Sequence, residues 1–64
     1  MTYEISCTFI AESAAAIKVH DHATKEDLWI PLSQVESIHG RKPDGTGEGT
    51  LVMSDWIAKT KGLL

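Results

Sequence analysis

His20 and His22 stand two residues apart, on either side of Asp21. On an extended strand that spacing puts both rings on one face, a geometry that binds zinc or copper once a third ligand arrives. Asp21 or His39 could supply it only if the fold happened to bring them together, so the plainer reading is two solvated surface histidines and no metal site. Cys7, Ser6, Ser13, Ser33, Ser37 and Ser54 offer nucleophiles beside the three histidines. None sits in a nucleophile elbow or a cysteine-protease signature, so no catalytic residue is assigned and the chain is not read as an enzyme. Gly45-Thr46-Gly47-Glu48-Gly49 could suggest a phosphate cradle, but it lacks the following Lys-Ser/Thr pair and the strand-to-helix setting that nucleotide binding requires. No cofactor is expected.

The carboxylates are the more informative set. Asp21, Glu26 and Asp27 bracket one polar segment, and Glu4, Glu12 and Glu36 fall on exposed phases of their elements. Residues 1–40 carry an excess of four acids over bases, and residues 41–64 an excess of one base. A solubilising surface explains this balance most simply, since a net charge of −3 is ordinary for a small soluble domain. The functional reading is an acidic face that docks on a groove lined by lysine and arginine, where complementary charge speeds encounter and selects the partner. Duplex DNA carries one charge per about 1.7 Å, so any mimicry of it by so few acids would be partial. Direct nucleic-acid binding would rest on Arg41, Lys42, Lys59 and Lys61 alone, too few for a basic stripe. Trp29 and Trp56 are large for so small a core. Trp56 is expected beneath a C-terminal helix, and Trp29 either in the core or as an interaction anchor.

The elements that must position these residues follow from periodicity. Tyr3, Ile5, Cys7 and Phe9 alternate with Glu4, Ser6 and Thr8, which predicts a half-buried strand in which Cys7 is a small buried hydrophobe. A turn is expected at Ala11-Glu12-Ser13, a second strand over residues 16–20, a loop over 21–27 and a third strand at Leu28-Trp29-Ile30. Pro31 cannot donate to a ladder and marks an edge, a bulge or a strand end. Residues 32–38 read as a bent strand or a short helical turn. Residues 40–49 have loop composition, with a turn at Pro43-Asp44-Gly45. Leu51-Val52-Met53 reads as a short strand. Residues 54–62 read as a helix with Ser54 as N-cap, Asp55 at the positive end of its dipole, Lys59 and Lys61 toward the other end and Gly62 at C′. The sum is an α+β fold: a small antiparallel sheet of four to five strands packed by one short C-terminal helix, in a single domain spanning residues 1–64 with a flexible glycine-rich loop at 40–49.

Length and composition bound the rest. A chain of 64 residues hides only about 60 % of its unfolded surface, leaving little room for a deep cleft. Hydrophobic residues make up 42 % and charged residues 23 %, which is globular rather than disordered usage. A lone cysteine forms no internal disulfide and agrees with a reducing compartment, and no N-terminal leader pattern or membrane-length apolar run is present, so a cytoplasmic monomer is expected.

Leu28-Trp29-Ile30-Pro31-Leu32-Ser33-Gln34-Val35, followed by Ser54-Asp55-Trp56-Ile57-Ala58 and Lys61-Gly62-Leu63, resembles small proteins carried by bacteriophages and mobile elements, across residues 16–64. In those relatives a basic residue usually follows the proline, where this chain has Leu32. With its length and acidic lean, the sequence is similar to the type I-C anti-CRISPR proteins of Pseudomonas mobile elements. That resemblance implies a phage-encoded inhibitor acting in the bacterial host cytoplasm. Such an inhibitor binds the crRNA-guided surveillance complex and keeps target DNA from engaging, without catalysis or cofactor. On that reading the contacting acids would be Asp21, Glu26, Asp27 and Glu36, then Glu4 and Glu12. The competing reading is a phage accessory or scaffold protein that binds another protein through a sheet edge and Trp29.

Overall fold

The computed structural model describes all residues from Met1 to Leu64. Five strands, β1 (Thr2–Glu12), β2 (Ala16–Asp21), β3 (Asp27–Pro31), β4 (Val35–His39) and β5 (Gly47–Ser54), are followed by one helix, α1 (Asp55–Thr60). A 3₁₀ turn at Leu32–Gln34 separates β3 from β4. The strands form one antiparallel sheet in the order β3-β2-β1-β5-β4, so the first strand lies at the centre and β3 and β4 are the edges.

The period-two pattern of β1 sets the faces. Ile5, Cys7 and Phe9 are buried, and the residues directly opposite them across the ladders lie on the same side of the sheet. Leu51 and Met53 on β5, Ile17 and Val19 on β2 and Ile30 on β3 complete that face. Ile57 and Ala58 of α1 close over it, with Leu28, Leu32, Val35, Ile38 and Leu63 packed around the rim. The other face, with Glu4, Ser6, Thr8, Lys18, His20 and Trp29, carries no second layer.

Three expectations shift. β1 runs on to Glu12 instead of turning at Ala11. A bulge at Ile10 resets the register between Phe9 and Ala11, so that Ala11 and Glu12 still pair with Lys18 and Ile17. The turn falls at Ser13–Ala15, where the Ser13 hydroxyl accepts from the Ala15 and Ala16 amides. Gly47 to Gly49 belong to β5, not to the loop. A Cβ on Gly49 would stand 1.9 Å from the His39 carbonyl oxygen, so a β4–β5 crossing this close requires glycine. The turn at Pro43-Asp44-Gly45 is present, closed by the Gly45 amide donating to the Lys42 carbonyl at 2.9 Å.

Trp56 is the third correction. It is 62 % exposed, whereas its neighbours Ile57 and Ala58 are buried. Successive helical residues are 100° apart, and a helix of six residues touches the sheet with one narrow stripe, so Ile57 and Ala58 facing inward turn Trp56 out. The helix ends are as written in the sequence: the Ile57 amide donates to the Ser54 hydroxyl at 3.3 Å, and Gly62 takes a left-handed φ of 77°. No helix is long and apolar enough to cross a membrane.

Candidate protein-binding surface

The open face of the sheet carries a set of paired polar side chains beside an exposed tryptophan. In the β2–β3 hairpin, Lys18 lies opposite Trp29 and His20 opposite Asp27. The His20 ring nitrogen Nδ1 is 2.8 Å from Asp27 Oδ1, and Lys18 Nζ is 4.0 Å from the other carboxylate oxygen. Lys18 Nζ also stands 6.0 Å from the centre of the Trp29 ring, at the outer limit of a cation–π contact. Trp29 stands on the outward face of an edge strand and is 46 % exposed. One β-ladder further in, His22 Nε2 is 2.8 Å from the Thr8 hydroxyl. The two histidines are held by different partners, and no group of three His, Cys, Asp or Glu residues converges on a point that could hold a metal ion.

The acids expected on one docking face are dispersed. Asp21 is only 2 % exposed and is removed from the contact set. It sits opposite Cys7 on the core face, and its carboxylate accepts from the Ala23 amide at 3.2 Å and the Thr24 hydroxyl at 2.9 Å. It therefore builds the β2–β3 turn, as an Asx turn does. Glu12 pairs with Arg41, joining the end of β1 to the loop after β4. Asp27 is shared between His20 and Lys18. Glu4, Glu26 and Glu36 remain exposed with no ion pair, but Glu4 lies on the central strand, Glu26 in the β2–β3 loop and Glu36 on the far edge strand. Asp44 is engaged within its own loop, where the hydroxyl and amide of Thr46 hold its carboxyl below the ordinary value.

Cys7 is fully buried, and burial, with a smaller contribution from the nearby Asp21 charge, pushes its thiol up to about 11. At neutral pH it is a protonated, inert packing group. Reasoning from the sequence missed the partners of Asp27. The available signal was the hairpin itself, because pairing strands 16–20 and 28–30 antiparallel brings Lys18 and His20 beside Trp29 and Asp27.

Set against known proteins, the chain matches no family model, no curated protein and no solved structure.

Proposed function

We propose that this chain is a non-catalytic protein-binding module, an accessory or scaffold protein that contacts another protein through the β3 edge and Trp29. The observation that carries the reading is the half-exposed Trp29 on the outward face of an edge strand, opposite Lys18 and next along that face to the His20–Asp27 pair. An anchor of this kind supplies large contact area at little entropic cost, and an edge strand offers unpaired backbone groups beside it. The protein presents 3839 Å² of surface, so a standard interface of about 800 Å² per partner would take roughly a fifth of it. A photo-crosslinker placed at position 29, in cells that contain the natural partner, tests this. A single adduct competed away by the unmodified protein, and not by Trp29→Ala, supports the reading; no competable adduct removes it.

The sequence resemblance favours a second reading, a stoichiometric inhibitor of the type I-C crRNA-guided surveillance complex acting through its acids. With Asp21 buried and Glu12 and Asp27 paired, Glu4, Glu26 and Glu36 are what remains free of the six acids expected to meet basic side chains of that complex. The test is target-DNA binding by the purified complex, with and without excess protein, at low and high salt. Displacement at low salt that added salt reverses supports the inhibitor, because exposed charge contacts are screened within about 10 Å at 0.1 M salt. DNA binding untouched at both salt concentrations counts against it.

A further inference from the structure

The N-terminal half of β1 has a strand neighbour on one side only. Thr2 to Ser6 pair with Ser54 to Thr50 of β5, but the ladder to β2 begins at Cys7, because β2 ends at Asp21. In an antiparallel ladder the N–H and C=O of one residue point the same way, and those of the next residue point oppositely. The His22 amide donates to the Ser6 carbonyl at 3.1 Å, so the even-numbered residues here face the β2 side. Thr2 and Glu4 therefore turn both backbone groups, and Ser6 its N–H, into a gap that β2 does not fill. No turn or loop backbone bond reaches these groups.

That gap is a depression of about 380 Å³. Tyr3, Ile5 and Leu63 give it an apolar side, and Glu4, Ser6 and His22 a polar one. Its lining includes the exposed acid Glu4 and the buried Asp21, and neither lysine nor arginine. From Thr2 to Ser6 the strand spans about 13 Å, room for roughly four residues of an added strand.

We infer that this gap docks an extended segment of a partner protein, added alongside β1 with a lysine or arginine side chain against Glu4 and an aliphatic one against Tyr3 and Leu63. Backbone addition satisfies the free groups of Glu4 and Ser6, and the two walls select alternating basic and apolar side chains. A second copy of this chain is the poorer occupant, since its own edges bring Asp27 and Pro31 on β3 or Glu36 on β4 toward Glu4. The groove does not depend on the Trp29 surface, because Trp29 is on β3 and forms no part of its walls.

The test is an NMR titration of the isotope-labelled protein with acetylated, amidated Lys-Val-Lys-Val. We expect saturable shifts centred on the Glu4 and Ser6 amides. Their hydrogen exchange should slow about tenfold at a peptide concentration about nine times the dissociation constant. The corresponding Glu-Val-Glu-Val peptide should bind at least about tenfold more weakly, and Glu4→Gln, an exposed change that leaves the strand intact, should remove most of that preference. Absence of saturable shifts at about 10 mM peptide, equal binding of the two peptides, or shifts centred on Trp29 would overturn the proposal. So would exchange protection of Glu4 and Ser6 that grows with protein concentration alone, which would give the groove to a second copy.

Discussion

At the scale of single residues, the same chemical type takes opposite roles according to whether it points into the core side of a strand or out of a loop. Asp21 and Glu26 both flank the β2–β3 turn, yet one holds it together and the other is solvated. Asp21→Ala should therefore lower stability by about 2 kcal/mol, since it strips partners from the Ala23 amide and the Thr24 hydroxyl. Glu26→Ala should change stability by less than about 0.5 kcal/mol, and chemical denaturation of the two variants separates them. Cys7 adds a pH dependence of definite sign. Its thiol titrates near 9.0 when unfolded and near 11 when folded. The folded state holds that proton more tightly, so this contribution is intact below pH 9 and is lost as the pH rises toward 11. The melting temperature should fall across that window more steeply in the natural protein than in Cys7→Ala, and the paired comparison isolates the thiol. Trp56 makes the converse point about burial. With both tryptophans exposed, we expect native fluorescence to be readily quenched by iodide, and Trp56→Ala to cost little stability; a shielded, quench-resistant tryptophan would contradict the placement of Trp56.

At the scale of elements, whatever is written in local chemistry was readable beforehand. The helix announces both ends through Ser54 and Gly62, and the first strand announces its faces through Tyr3, Ile5, Cys7 and Phe9. What could not be read depends on non-local pairing. The bulge at Ile10 extends β1 past an alanine- and serine-containing stretch that has turn composition, and only the register with Lys18 and Ile17 shows why. Gly47 and Gly49 look like loop residues until Phe9 and Cys7 are found opposite them. Two glycines a few positions apart should accordingly respond differently to alanine. Gly49→Ala drives a methyl group into the His39 carbonyl and should destabilise by more than about 3 kcal/mol or prevent folding. A Cβ on Gly45 meets nothing within 4 Å, so its cost is limited to the strain of a φ of 88°, about 1 kcal/mol. Thermal unfolding of both variants checks the contrast. Residues 32–38 take both of the conformations open to them, a 3₁₀ turn at Leu32–Gln34 followed by strand β4 from Val35, and Pro31 before the turn is the reason β3 stops.

For the whole molecule, periodicity and capping residues pointed to the class of fold and to little of the candidate surface. Acids expected on one face became a scattered set in space, because they lie on different strands and loops and the hairpin places Lys18 and His20 beside Asp27. The Trp29 surface was half visible, as an aromatic next to a proline at a strand end. The groove along β1 was not, because it arises from two strands of unequal length. A consequence at this scale is how the interactions respond to salt. Raising salt from low to well above physiological concentration should leave an interface built on Trp29 nearly unchanged, whereas one built on Glu4, Glu26 and Glu36 should weaken several-fold. Affinities of any identified partner measured across that range decide which residues carry the contact.

The central position of β1 also governs how the molecule is born. Its partner β5 is separated from it by most of the chain, with Thr2 set against Ser54. A nascent polypeptide can assemble β1 to β3 as it leaves the ribosome, but the middle of its future sheet stays open along one side until residue 54 has emerged. During that interval the strand that will be central is an open edge, and a synthesis stall there would release a species prone to pairing with other chains.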